Sequence, residues 1–548
     1  MYRSPIQQVL LLGAARPHHA TRPCSRLALT HNVSVTPTLW LPRQSDVMRM
    51  GSAEAPSSTH QIEVANAHAN PVFAHAPLVV LLISAFDLGH QPFGLASPAA
   101  WIVAEGARVS CLDLAVRPLD EEAVCAAGLI GLYLPMHTAT RILAGVVPRL
   151  RKLNPDAHLC AFGLYAPGNA ELLRRIGVDS IIGGEFERPL ASLVSDLGSR
   201  GVQRSATAPP VRATEVSLGR QDFLVPDRSG LPPLSDYAYL TMPDGSRRTV
   251  GYTEATRGCK HLCRHCPIVP VYGGQFRVVQ RDVVLADIRQ LVAAGAEHIS
   301  FGDPDFFNGP AHAVAITRDM HAEFPDLTYD VIIKVEHLVR HRDRLADLQE
   351  TGCVLVTSAV ESVDERILEI FDKRHTRTDF ITALGALREL GIGLNPTFVA
   401  FTPWTTLDGY LRFLADVDQL GLIPNIAPIQ YAIRLLIPEG SKLFDLPEVA
   451  DFVHPFDVSS LVYPWTHADP AVDALQTAAL DLAAGAAADG VSREDFFAEL
   501  WALATDAAGQ PGRPRATRIQ PISLPVPQLS EPWYCCAEPT ETQLAPPV

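Results

Sequence analysis

The chain runs to 548 residues, long enough for two or three domains with proper cores. Its formal charge of −15 argues against a broad nucleic-acid surface or an anionic-membrane surface, and leaves room for a local basic cleft. Ten cysteines are too few and too scattered for a disulfide scaffold, and no apolar run approaches the ~20 residues of a membrane span, so a reducing, cytoplasmic setting is expected.

Residues 1–76 hold one short apolar patch, "VLLLGAA", among Pro, His, Ser and Ala without a clear period. They read as a disordered or mis-called N-terminal extension, with Met48 or Met50 as alternative starts and a transit peptide as the other reading. From Leu78 the texture changes. "LVVLLISAF" is an apolar run of the kind expected for a buried parallel strand. "RVSCLDLAV", "LIGLYLPMH", "HLCAFGLYA" and "DSIIGGEFE" follow, with helix-like stretches such as Thr140–Leu153 between them. The alternation predicts a doubly wound, Rossmann-like α/β domain over residues 77–198, with ligands at the strand C-terminal ends. Residues 199–248 read as a Pro-rich linker.

A second alternating series begins at "RTVGYTEAT". Strand candidates recur at 297–302, 329–335, 353–360, 392–400 and 424–431, separated by helical segments such as Asp282–Ala294 and Thr378–Leu390. Six βα units predict a partial (β/α)6 barrel of the TIM type over residues 249–445. A helical extension (446–510) and a Pro-rich tail (511–548) complete the α/β chain.

The stretch "RGCKHLCRHCPI" carries the strongest signal. Cys259, Cys263 and Cys266 form CxxxCxxC on the loop after the first strand of the second series, a spacing that suits zinc or an iron–sulfur cluster. A closed zinc site needs a fourth ligand, which His261 or His265 could supply. The alternative is a [4Fe–4S] cluster with three protein ligands and one open iron.

CxxxCxxC in this position resembles the signature of the radical S-adenosylmethionine (radical SAM) superfamily, over about residues 245–445. The resemblance implies that Cys259, Cys263 and Cys266 hold the cluster and that S-adenosylmethionine binds the open iron. Reductive cleavage then yields a 5′-deoxyadenosyl radical, with flavodoxin or ferredoxin as the expected reductant. The residue before the third cysteine is usually aromatic in that family; here His265 takes the place beside the adenine. Gly302, Asp303 and Pro304 in "ISFGDPDFFN" resemble the family's Gly-Gly-Glu-Pro turn, so Asp303 is expected to accept the ligand's ammonium, with Asp305 as fallback and an Asx-turn as the bland reading. Glu361 stands where the family places a polar residue near the ribose. Arg434 in "IQYAIRLLIPEGSKL" reads equally as a carboxylate partner in the cavity or as a structural ion pair.

An α/β domain ahead of such a core resembles the cobalamin-binding domain of cobalamin-dependent radical SAM enzymes. Gly183 and Gly184 in "IIGGEFERPL" support this, since paired glycines let backbone approach a bulky ligand. The first loop, "DLGHQPFG", departs from the family's Asp-x-His-x-x-Gly: Asp87, His90 and Gly94 have other spacing, and His90 reads as a loop histidine. Two readings stand, cobalamin binding or a fold retained without its ligand. Cys111 and Cys160 read as core residues.

The tail stretch "PWYCCAEP" resembles the CUAEP/CCAEP-tail radical SAM proteins, some of which carry selenocysteine at the position matching Cys536. By that resemblance Cys535 and Cys536 are catalytic, with Trp533 and Tyr534 as anchors. The leading expectation is a radical enzyme acting on a small-molecule or peptide substrate, with methyl transfer or rearrangement if cobalamin is present. The rival is a non-catalytic iron–sulfur or zinc protein serving electron transfer or partner binding. Neither nucleic acid nor membrane is expected as a partner.

Overall fold

Apolar strands with no polar face need cover on both sides, and the first sheet receives it. The computed structural model describes residues 77–200, 214–515, 526–531 and Leu544. Its first sheet holds β1 (Val79–Ser84), β2 (Arg108–Asp113), β3 (Leu129–Tyr133), β4 (His158–Phe162), β5 (Ser180–Gly184) and β6 (Glu215–Ser217) in the order 2-1-3-4-5-6. Every pairing is parallel. Alternation along β1 sends Val80 and Leu82 to one core, with helices Phe93–Ala104 and Glu187–Arg200. Leu81 and Ile83 enter the other, with helices Glu121–Ala126, His137–Leu153 and Ala170–Arg175. The order of strand succession reverses between β1 and β3, which opens a crevice at their C-terminal ends.

In the second sheet, β7 (Tyr239–Thr241) lies antiparallel against β8 (Arg247–Thr253), and β9 (Thr256–Gly258) forms a separate ribbon with β10 (Phe276–Val278). Parallel β11 (His298–Phe301), β12 (Thr328–Ile332), β13 (Cys353–Glu361) and β14 (Gly393–Phe398) follow β8 in order around a curled half-barrel. From the tail, β15 (Gln528–Leu529) pairs antiparallel with β7.

The sixth strand expected at 424–431 does not form. The segment folds as two 3-10 turns, Ile423–Asn425 and Pro428–Tyr431. Pro424 and Pro428 lack the N–H donors that a ladder needs. Only a single bridge, Phe401 to Arg434, marks where the barrel would have continued. Helices Pro470–Asp489 and Arg493–Ala507 cover that side instead, with Leu475, Phe496 and Phe497 packed into the half-barrel core beside Tyr431. The first of them has a well-made start and stop: Asp469 caps Ala471 N, Pro470 takes the first turn and Gly490 ends it at φ +66. Among the described residues no helix is long and apolar enough to cross a membrane.

Candidate functional site

The C-terminal ends of both parallel sheets face one cavity of about 290 Å³. Leu88, Tyr133, Met136 and Phe186 reach it from the first sheet, the three cysteines and the half-barrel strands from the second, and Leu529 from the tail.

The cysteine loop leaves the β9–β10 ribbon through Gly258, at φ +72. A Cβ there would lie 2.4 Å from the Tyr272 ring and 2.6 Å from the Gln275 carbonyl, so only glycine admits this turn. Cys259 and Cys263 are buried, Cys266 is half-buried, and all three line the cavity. Burial pushes the Cys259 thiol up to about 11, so without a partner charge it stays protonated. Lys334 Nζ stands 3.6 Å from Cys263 Sγ, a compensating charge for a thiolate.

A single zinc would draw its thiolates to within about 4 Å of one another, given ~2.3 Å Zn–S bonds. Among the described residues the one set with ligand atoms within 4.8 Å is Cys259, His261 and Asp305. Asp305 in that set is already engaged, 2.6 Å from His337 Nδ1. His261 lies 3.3 Å from His337 Nε2, and His265 lies 3.2 Å from Glu361 Oε1, so neither imidazole completes a three-cysteine zinc site. Three thiols with no fourth protein ligand among the described residues suit a polynuclear cluster with one open iron.

His265 stacks on Phe371, with ring centroids 4.3 Å apart. Glu361 ends β13 in the left-handed region, φ +66, an unfavourable backbone for a non-glycine residue that is held here by buried partners. Burial opposes its ionisation, yet Lys373 at 3.2 Å and His265 hold the carboxyl down at about 2. Glu361, His265 and Lys373 thus form one charged group on the wall beside the cysteines.

Asp303 does not fill the place expected of it. Its carboxylate accepts from Ala255 N (2.9 Å) and Thr256 Oγ1 (2.6 Å), and it is not part of the cavity wall. It braces the β8–β9 junction, and burial pushes its pKa up to about 7. The fallback Asp305 also faces inward, capping Phe307 N and pairing with His337. Gly302 does line the cavity, because the Tyr252 hydroxyl occupies the space a Cβ would need.

The reason given for the paired glycines also changes. A Cβ on Gly183 would meet Pro167 at 2.2 Å, and one on Gly184 would meet the Ser217 carbonyl at 2.1 Å. Protein packing demands both, although Gly184 still borders the cavity. Arg434 is structural: it pairs with Asp473 at 2.6 Å and lies over the Trp465 ring. His90 lies against Tyr252, ring centroids 4.8 Å apart, and Asp87 lines the cavity nearby. The expected Cys535, Cys536, Trp533 and Tyr534 lie outside the described residues.

Sequence reasoning missed the buried ion network that joins the two sheets. Arg257, two residues before Cys259, pairs with Glu254 (2.6 Å), Glu187 (2.5 Å) and Glu185 (3.6 Å). Two of these are the glutamates of "GGEFE", so the motif read for its glycines carried its signal in its acids. The guanidinium also lies over Phe93, Phe186 and Phe223. Losing one side of such a network strands charge in a low dielectric, which costs about 3–5 kcal/mol. The cysteine loop is thereby fixed to the first sheet.

Residues 253–405 match the family model for the radical SAM superfamily. A tRNA-2-methylthio-N(6)-dimethylallyladenosine synthase from Sorangium cellulosum is 25% identical over 334 residues, 56% of this chain and 63% of the relative. A hopanoid C-3 methylase from Methylococcus capsulatus is 24% identical over 235 residues, 41% and 43% of the two chains. The chain therefore spans less than two thirds of these relatives' length. The solved structure of the cobalamin-dependent S-adenosylmethionine radical enzyme OxsB superposes with a TM-score of 0.57 at 15% identity, over 73% of this chain and 66% of that one. That likeness is one of fold. The chain carries a radical SAM domain, set behind a Rossmann-like sheet in a fold like that of OxsB.

Proposed function

We propose that this chain is a radical enzyme whose [4Fe–4S] cluster is held by Cys259, Cys263 and Cys266. The observation that carries this reading is that the three thiols of the CxxxCxxC loop open onto a cavity walled by both sheets. Cluster and S-adenosylmethionine would together supply a 5′-deoxyadenosyl radical that takes hydrogen from a substrate. His265 and Gly302 offer a stacking face and a close backbone wall for the adenosine moiety. Glu361, kept ionised by Lys373 and His265, offers an acceptor for hydroxyl or ammonium groups. The relatives named above are a synthase and a methylase, which supports an enzyme and gives no support to the electron-carrier alternative.

Cobalamin is the second cofactor of this reading, on the Rossmann-like sheet and the likeness of fold to OxsB. Leu88, Tyr133, Met136 and Phe186 form an apolar and aromatic shelf beneath the crevice of the first sheet, and bound there it would supply methyl transfer or rearrangement chemistry. The tail extends the site. Leu529 lines the cavity, and a Cβ on Gly89 would lie 2.9 Å from Glu531 Cβ, which puts the tail against the Asp87–His90 loop. The four residues from Glu531 to Cys535 span at most about 14 Å. That reach supports Cys535 and Cys536 as thiols serving the reacting centre, as hydrogen or redox donors, metal ligands or a covalent anchor.

Anaerobic reconstitution tests the reading. Expected are about four irons and four sulfides per chain, 5′-deoxyadenosine formation under a flavodoxin or chemical reductant, and retained corrinoid absorbance. Cys263→Ala should lose cluster and cleavage together. A variant that still formed 5′-deoxyadenosine at the wild-type rate would refute the ligand assignment. Replacing both tail cysteines by serine should leave iron content intact and suppress turnover of the substrate.

A further inference from the structure

Below the cysteines, the half-barrel floor carries a polar row that the radical chemistry does not use. Tyr252, Ser300 and Asp330 stand in register across β8, β11 and β12, and all three line the cavity. Asp330 Oδ1 accepts from Ser300 Oγ at 2.5 Å and from His298 Nε2 at 2.9 Å. No described residue donates to Oδ2. The residue is 4% exposed, and it borders the cavity.

Arg248 Nη1 donates to Thr328 Oγ1 at 2.7 Å, and that hydroxyl lies 2.8 Å from His298 Nδ1. Thr328 Oγ1 keeps both its own proton and a second lone pair for that contact. The two donors that reach Asp330, His298 Nε2 and Ser300 Oγ, are both spent on Oδ1.

The cations around the cavity are already committed. Arg257 serves three glutamates, Lys373 serves Glu361, and Lys334 stands between Cys263 and Glu336. A carboxylate this buried is costly without a partner, and the open side of Asp330 is the cavity itself.

We infer that Asp330 is the anchor for a protonated amine of the substrate, with Ser300 and His298 fixing the carboxylate's direction. The inference rests on the radical-enzyme reading for the site's purpose and on the half-barrel floor for its chemistry. A primary ammonium seated at Oδ2 would hold the substrate within the cavity that the three cysteines also line, where one of its carbons can be presented for hydrogen abstraction. Neutral analogues lacking the ammonium leave Asp330 unpaired and are rejected, as sites built around a buried polar group reject ligands that do not match it.

The test uses benzylammonium and its neutral isostere benzyl alcohol as probes of the reconstituted full chain, read by ligand-observed NMR. The wild type should hold benzylammonium about tenfold more tightly than the alcohol, in line with a charge-assisted hydrogen bond. Asp330→Asn should erase that preference, and Asp87→Asn, which alters the cavity's other unpaired carboxylate, should keep it. Equal binding of the two probes to the wild type overturns the proposal. So does a preference that survives Asp330→Asn or vanishes in Asp87→Asn. If Asp330→Asn fails to fold, the wild-type contrast and the Asp87 variant still decide. Formation of 5′-deoxyadenosine by the wild type is scored separately, so a failed radical reading and a failed amine site give different results.

Discussion

Glu185 offers a pH-dependent test of the network between the sheets. Its side chain is 1% exposed, 3.6 Å from Arg257, and accepts from the Tyr272 hydroxyl at 3.2 Å. Burial pushes its pKa up to about 7; Arg257 opposes that rise and Glu187 adds to it. A carboxyl raised on folding contributes stability that is present below its unfolded pKa, near 4.5, and lost as pH rises through about 7. Integrated from pH 5 to pH 8, that group alone removes about 2.5 kcal/mol from the wild type. Glu185→Gln mimics the protonated form at every pH and removes this contribution to the slope. Urea unfolding of both proteins at pH 5 and pH 8 measures it: the variant-minus-wild-type difference should move by about 2.5 kcal/mol in the variant's favour at the higher pH. A difference that stays constant within about 0.5 kcal/mol would show that Glu185 is already ionised at pH 5 in the folded chain, and the charge accounting around Arg257 would fall with it.

Other perturbations probe separate parts of the site. Gly258→Ala forces a Cβ into Tyr272 and a left-handed backbone worth about 1–2 kcal/mol, and iron bound per chain after reconstitution should drop sharply. Arg228 makes a two-pronged pair with Asp287 at 2.7 and 2.8 Å and also donates to Gln91 and the Tyr252 carbonyl; Arg228→Ala should destabilise by about 3–5 kcal/mol, read as a lower urea midpoint. Leu529→Asp should release β15 from β7, so that limited proteolysis cuts within 526–531 in the variant and spares the wild type.

The parts of this fold legible in the sequence are those whose cause is local. Five apolar runs gave five parallel strands because each carries its own burial requirement, and the cysteine spacing marked the loop at the cavity wall. Short pairings were not legible. β6, β7 and β15 hold three, three and two residues, and nothing in so few residues encodes a partner that lies elsewhere in the chain. The apolar texture of 424–431 outweighed its two prolines in the reading, while the ladder needs donors that those prolines lack. Asp303 was misjudged for a related reason. A carboxylate after a strand looks the same in sequence whether it faces the cavity or braces the turn, and the Ala255 and Thr256 donors that decide the matter come from another strand end.

The same distinction explains why the cavity's charge pattern emerged only in three dimensions. Arg257 lies about seventy residues from Glu185 and Glu187 in the chain, yet the crevice of the first sheet and the cysteine loop meet through them. A guanidinium so enclosed by carboxylates and rings resists any rotation of one sheet against the other, because each of its ion pairs would have to break without water to replace it. Radical chemistry benefits from that rigidity. A hydrogen-abstracting centre must meet one carbon and no other, so on the proposed reading the substrate anchor and the cysteine loop need a fixed separation. Asp330 lies on β12 of the half-barrel and Cys259 follows β9 of the separate ribbon, and the Arg257 network ties that ribbon to the first sheet.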